Sequence, residues 1–115
     1  MCDTGQAVSI FGEVCRACNS VFERKIQDAY LYGSYARGDY HGESDIDIFM
    51  TVDEAPEKLS PYRRAASRIC SELGLRHDIM VSVSIAPLTQ FNRYAEVLPY
   101  YQSVLREGIR YVDGG

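Results

Sequence analysis

The stretch YLYGSYARGDYHGESDIDIFM, residues 30–50, joins a glycine-serine turn to an acidic strand. Its second half alternates Asp45 and Asp47 with isoleucines, which predicts a strand with the isoleucines on one face and both carboxylates on the other. Aspartate is disfavoured in strands, so two in alternation need a chemical reason. The Cα atoms of residues i and i+2 on a strand lie roughly 6.6 Å apart, so both carboxylates can reach toward one point.

Converging carboxylates predict a site for a cation. They repel each other at neutral pH unless a cation neutralises them. Carboxylate oxygens suit Mg²⁺ or Mn²⁺, and Mg²⁺ commonly combines carboxylates with phosphate oxygens and water. Without the neighbouring turn, Asp45 and Asp47 would be interpreted as an exposed pair on an edge strand.

Asp78 is the third candidate carboxylate. The run HDIMVSVSI, residues 77–85, predicts a strand with Asp78 on the face opposite its aliphatic residues. If this strand pairs beside the first, three carboxylates converge and can hold two metal ions ~3.5–4 Å apart. The alternative is that Asp78 only begins a strand as the chain leaves a loop.

The glycine-serine turn predicts an anion site. Gly33 and Ser34 follow a strand and open a short turn or helix, where free backbone N–H groups can hold a phosphate. Glycine permits close approach of the backbone, and serine adds a hydroxyl donor. Arg37 lies one helical turn further on, where it could contribute a positive charge to the binding of a triphosphate. Two alternatives stay open: Ser34 only caps the turn, and Arg37 pairs with a neighbour such as Asp39 or Glu43.

Composition limits the class of protein. The chain has 115 residues, 46% of them hydrophobic, which predicts a single domain over residues 1–115 with one modest core.

The net charge of −4 has the wrong sign for a protein that neutralises many phosphates, so a nucleic acid partner is not expected. We expect a cytoplasmic protein, because no apolar run approaches the ~18 residues of a membrane span and the start lacks a signal-peptide pattern.

The hydrophobic periodicity switches between helical and strand spacing along the chain. It predicts helices over residues 6–25 and 60–74, and a pair of helices over residues 88–108 that is broken near Pro99. It predicts strands over residues 28–32, 45–52, 77–85 and 109–112. This order favours an α+β fold, in which helices flank a mixed β-sheet.

The other reactive side chains favour structural roles. We expect the cysteines in the core, with redox or metal chemistry of the C-x-x-C pair as the alternative. We expect the histidines at the surface, and the last tyrosines at a core edge or a protein interface. These residues are Cys2, Cys15, Cys18 and Cys70; His41 and His77; and Tyr94, Tyr100 and Tyr101.

Residues 31–47, LYGSYARGDYHGESDID, place ten residues between the Gly-Ser pair and Asp-x-Asp. This spacing resembles the G-S-x₁₀-D-x-D signature of the DNA polymerase beta-like nucleotidyltransferase superfamily. The short chain, the GSYARG run and the SDIDI strand are most similar to the minimal nucleotidyltransferases, including the MntA-type antitoxins of HEPN/MNT toxin-antitoxin pairs. Tyr32 stands where many members have phenylalanine.

The resemblance implies a nucleotidyltransferase fold and transfer of a nucleoside monophosphate from an NTP. It also implies that this transfer depends on two bound Mg²⁺ ions, for which Mn²⁺ can substitute. Many minimal members are antitoxins that transfer AMP from ATP to a tyrosine of a HEPN-type ribonuclease toxin. Carried over by position, Gly33 and Ser34 would hold the phosphates and Asp45 and Asp47 would bind metal. Asp78 would complete the metal site and help to deprotonate the acceptor hydroxyl.

Two other functions are alternatives to an AMP-transferring antitoxin. One is a small-molecule nucleotidyltransferase of the antibiotic-modifying type, although such enzymes generally carry a further domain for the acceptor. The other is a binding module without catalysis that neutralises its partner by occlusion. The complete set of Asp45, Asp47 and Asp78 argues against the second.

Overall fold

The chain alternates helices and strands, and the computed structural model describes residues 2–23 and 25–112. Helices α1 to α5 span Thr4–Val21, Ser34–Arg37, Ser60–His77, Leu88–Tyr94 and Pro99–Glu107, with a 3-10 turn at Pro56–Lys58. Strands β1 to β4 span Ile26–Tyr32, Ile46–Val52, Val81–Pro87 and Ile109–Arg110. In these two described ranges, no helix is both long and apolar enough to cross a membrane.

The strands of the described residues form one mixed sheet in the order β3-β2-β1-β4. β1 pairs antiparallel with β2 and β4, whereas β2 pairs parallel with β3. A parallel neighbour requires a crossover connection, and α3 supplies it between β2 and β3. The predicted α+β class, with helices flanking a mixed sheet, is confirmed.

The two faces of the sheet carry different side chains. On one face, Ile46 and Ile48 join aliphatic residues of β1 and β3 under α1 and α3 in the main core. On the other face, Phe49 packs with Phe91 of α4 and with residues of α5 in a smaller cluster. Asp47 shares the face of Phe49, because alternate residues of a strand point the same way.

The boundary between α3 and β3 differs from the prediction. α3 does not end at Gly74 but continues to His77, and Asp78 follows as its left-handed cap with φ 55° and ψ 48°. A Cβ added to Gly74 would lie 2.5 Å from the Ile79 carbonyl oxygen, so the glycine lets the chain return close to the helix. β3 begins at Val81, and the predicted strand start at residue 77 is wrong.

The first helix is shorter than its hydrophobic pattern. The prediction reached residue 25, whereas α1 ends at Val21; position 24 lies outside the described residues. At the other end, Asp3 and Gln6 form a capping box in which each side chain accepts a hydrogen bond from the other's backbone N–H. This reciprocal cap satisfies two N–H groups that the helix itself cannot pair.

The buried cysteines are part of the main core. Cys15, Cys18 and Cys70 are buried and free, as predicted, whereas Cys2, which was also expected in the core, is only partly buried. Burial raises the pKa of the Cys70 thiol to about 11, so little reactive thiolate forms at neutral pH.

Candidate functional site

The glycine-serine turn follows β1 directly and opens α2. Gly33 has a φ of 79°, in a region where any other residue would suffer a Cβ clash. Its carbonyl oxygen accepts hydrogen bonds from the N–H groups of Ala36 and Arg37, which closes α2 as a single short turn. The predicted turn leading into a short helix at Ser34 is confirmed.

Asp47 lies against this turn. It pairs in register with Tyr32, the last residue of β1. A Cβ added to Gly33 would lie 2.7 Å from Asp47 Oδ2, so no larger side chain fits there. The absence of a side chain at Gly33 therefore allows the turn backbone and the Asp47 carboxylate to share one small space.

The carboxylates of Asp45 and Asp47 differ in environment. Asp47 is half-buried, and Asp45, just before the strand, is exposed. Burial raises the pKa of Asp47, the Asp45 charge raises it further, and the Arg37 charge opposes the rise. The negative charge at Asp47 is thus incompletely compensated within the protein.

Asp45 and Asp47 fit the metal ion that the resemblance implies. Both offer the hard oxygen donors that Mg²⁺ and Mn²⁺ prefer. A cation bound between them would offset both the desolvation of Asp47 and its repulsion from Asp45.

Arg37 is held by two carboxylates at the edge of the site. Its Nε donates to Asp39 Oδ2 at 3.1 Å, and its Nη1 donates to Glu107 Oε2 of α5 at 3.3 Å. The neighbour pairing with Asp39 therefore exists, while nothing in the local sequence indicated Glu107. Exposed ion pairs contribute little stability, so a phosphate group can compete for this arginine.

Tyr32 and Tyr100 tie α5 to β1 beside Asp47. The Tyr100 hydroxyl donates to the Tyr32 hydroxyl at 3.0 Å. Burial raises the pKa of the Tyr32 phenol, and Tyr100 and the Asp47 charge add to the rise, whereas a hydrogen bond from Ser84 opposes it. Tyr32 therefore remains a neutral phenol at neutral pH; its place in the site was not predicted.

Asp78 is not brought to the carboxylate pair. It caps α3, which packs on the main-core face of the sheet, whereas Asp47 lies on the opposite face. Asp78 lines an open cleft of about 610 Å³ with residues of α1 such as Gln6 and Ser9. Within residues 2–23 and 25–112, no three His, Cys, Asp or Glu side chains are grouped to hold a metal ion. The predicted cluster of three carboxylates is thus not formed, because the last turn of α3 takes up residues assigned to the strand.

Serines occupy the corresponding face of β3. Ser82 pairs in register with Asp47 and Ser84 with Phe49, and both serines are exposed. The alternation VSVSI predicted that they share a face. It did not show that Ser82 lies beside Asp47, because a strand register depends on its partner.

The comparison with protein families agrees with this architecture. Residues 14–111 match the family described as nucleotidyltransferase domain. The chain belongs to this family and is a nucleotidyltransferase.

Three curated relatives from Methanocaldococcus jannaschii are each named "putative protein adenylyltransferase". The first is 32% identical over 77 residues, which cover 67% of this chain and 76% of the relative. The second is 30% identical over 96 residues, covering 84% and 88%. The third is 33% identical over 89 residues, covering 76% and 78%.

Solved structures share the fold at lower identity. A "putative nucleotidyltransferase" from Sulfolobus solfataricus superposes with a TM-score of 0.60 at 21% identity, covering 94% of this chain and 81% of that one. A toxin-antitoxin structure with AMP-PNP superposes with a TM-score of 0.55 at 21% identity, covering 84% of this chain and 68% of that one. A mutant of the MntA-HpeT toxin-antitoxin superposes with a TM-score of 0.54 at 18% identity, covering 95% of this chain and 72% of that one.

Proposed function

We propose that this chain is a protein adenylyltransferase: with Mg²⁺, it transfers AMP from ATP to a tyrosine hydroxyl of a HEPN-type ribonuclease toxin. In this way it acts as the cytoplasmic antitoxin of that partner. The observation that carries the proposal is the close approach of Gly33 to Asp47, with Asp45 adjacent. The names of the three archaeal relatives support a protein acceptor, and the toxin-antitoxin structures have the same fold.

Each part of the turn and the strand has a role in the proposal. The backbone N–H groups at Gly33 and the Ser34 hydroxyl bind the phosphates, and Asp45 and Asp47 bind the metal. Arg37 exchanges its present carboxylate partners for a phosphate oxygen, which is a charge-assisted contact of the stronger kind. When bound, Mg²⁺ or Mn²⁺ would neutralise phosphate charge and orient the α-phosphate.

The chemistry suits a small site. Phosphoryl transfer depends mainly on positioning and on neutralising charge. The exposure of Asp45, Ser82 and Ser84 leaves the described site open on the side of β3. A protein that brings its own hydroxyl can therefore complete it.

The test is transfer of label from ATP to the product of the neighbouring gene in the presence of Mg²⁺. Three proteins are compared: wild type, Asp45→Asn/Asp47→Asn, and the control Asp53→Asn/Glu57→Gln. The control removes two negative charges at exposed positions outside the site. ATP labelled at the α-phosphate is run beside ATP labelled at the γ-phosphate, because only the former labels the acceptor in AMP transfer.

We expect α-label on the partner with wild type and control, no γ-label, and a loss of at least ~100-fold in the site variant. Mass spectrometry should locate the added AMP on a tyrosine. Partner binding by all three proteins without label would instead support neutralisation by occlusion. Label that appears only in a small molecule would support the antibiotic-type activity.

A further inference from the structure

The parallel register of β2 and β3 determines what faces Asp47. Ser82 is its partner and Val83 is the partner of Ile48. Register partners on neighbouring strands lie about 4.8 Å apart and point to the same face. Because Ser82 is exposed, its hydroxyl lies on the open face beside the Asp47 carboxylate.

Ser84 is less available to a metal ion than Ser82. It pairs with Phe49, one pleat further along β3 and away from Asp47. Ser82 is therefore the β3 position nearest to the carboxylate pair.

The negative charge available to bind metal ions at the site is small. Asp45 and Asp47 provide two negative charges, whereas Ser82 is neutral, and in the described ranges Asp78 is not grouped with the two carboxylates as a metal site. Two divalent ions ~3.5–4 Å apart repel strongly and need bridging carboxylates to hold them. A hydroxyl is a much weaker ligand than a carboxylate for Mg²⁺ or Mn²⁺.

We propose that the site holds one divalent cation, on Asp45, Asp47 and phosphate oxygens of the nucleotide, and that Ser82 occupies the place from which a third carboxylate would hold a second cation. This inference rests on the proposed function, because it concerns the metal of the same nucleotide site. It replaces the two-ion site expected from the sequence.

The single-cation site has a consequence for the acceptor. In AMP transfer, the acceptor oxygen forms a bond to the α-phosphorus while the bond from that phosphorus to the pyrophosphate oxygen breaks. The acceptor proton must leave at the same time. Ser82 cannot take it as a carboxylate would, so the proton passes to water or to a base that the acceptor protein brings.

The test counts Mn²⁺ ions by electron paramagnetic resonance at saturating α,β-methylene-ATP, which is not cleaved at the transfer position. Wild type is compared with Ser82→Asp and with Ser67→Asp. Ser67 is exposed on α3, so its variant adds the same charge away from the site. Circular dichroism verifies that each variant is folded.

We expect one tightly bound Mn²⁺ per bound nucleotide in wild type and in Ser67→Asp, and two in Ser82→Asp. Two ions in wild type would overturn the inference while leaving the proposed function intact. One ion in a folded Ser82→Asp would also overturn the role assigned to Ser82. If wild type binds the nucleotide with no dependence on Mn²⁺, or does not bind it, the proposed function itself fails.

Discussion

At the scale of single residues, Gly33 combines two constraints that occur separately elsewhere in the chain. Its φ of +79° is strained for any residue with a Cβ, and that Cβ would meet Asp47. Gly38 has a similar φ of +87°, but nothing lies within 4 Å of its added Cβ. The ψ of Gly38 is 3°, in the left-handed helical region, whereas that of Gly33 is −156°. Gly38 is therefore a control for a positive φ that makes no contact with the carboxylate.

We predict that Gly38→Ala lowers the free energy of unfolding by about 1–2 kcal/mol, the usual cost of a left-handed alanine. Gly33→Ala should lower it by about 1–3 kcal/mol, because the ψ of −156° places Gly33 in a backbone region that is essentially restricted to glycine. Only Gly33→Ala displaces the Asp47 carboxylate, so it alone should weaken Mg²⁺-dependent ATP binding, by ~10-fold or more. Urea denaturation and titration calorimetry measure the two effects. Equal ATP affinity in the two variants would contradict the assigned contact between the turn and Asp47.

At the scale of elements, α3 is decisive, because its length determines where β3 begins. The sequence pattern ended this helix at Gly74, a common residue after a helix. In the structure Gly74 lies inside α3 and is buried, and the backbone at Ile79 passes over it. Gly74 thus allows close packing of the backbone and does not end the helix.

We predict opposite effects for alanine at two buried helical glycines. Gly74→Ala should destabilise the protein by about 1–3 kcal/mol, because its Cβ would meet rigid backbone. Gly12→Ala in α1 should be neutral or stabilising by up to ~1 kcal/mol, since its nearest contact is the movable end of the Arg16 side chain at 3.3 Å and alanine favours helix. Urea denaturation measures both, and a stabilising Gly74→Ala would refute the packing argument.

At the scale of the whole molecule, the site lowers the free energy of unfolding when no cation is bound. The pKa of Asp47 is raised by burial and by Asp45, so the charged form is less favoured in the folded chain than in the unfolded chain. This cost is present above the folded-state pKa and disappears below the ordinary aspartate pKa of about 4. A ligand that binds only the folded state adds stability according to its concentration and affinity.

We predict that Asp47→Asn raises the Tm at pH 7 in EDTA, by less than about 4 °C, because ~1 kcal/mol shifts a domain of this size by about 4–8 °C. The gain should vanish as the pH falls below about 4, where the wild-type carboxyl is protonated. With Mg²⁺ and ATP the order should reverse, since only wild type gains Tm. Scanning calorimetry tests this against Asp53→Asn, an exposed control that should follow wild type throughout.

Local sequence determined much of the fold and half of the candidate site. The alternation around Asp45 and Asp47 and the glycine at position 33 determined the strand, the turn and the face of the carboxylates. They did so because backbone conformation and side-chain direction follow from a few adjacent residues. The break at Pro99 and the buried cysteines were predictable for the same reason.

Only the tertiary structure decided what the carboxylates face. Asp78 followed a strand pattern but became the cap of α3, since helix packing against the core outweighed a short alternating run. The neighbours Ser82, Tyr100 and Glu107 come from elements distant in sequence, and their placement depends on strand register and helix docking. Register and docking are set by contacts between elements, and no pattern within one element records them.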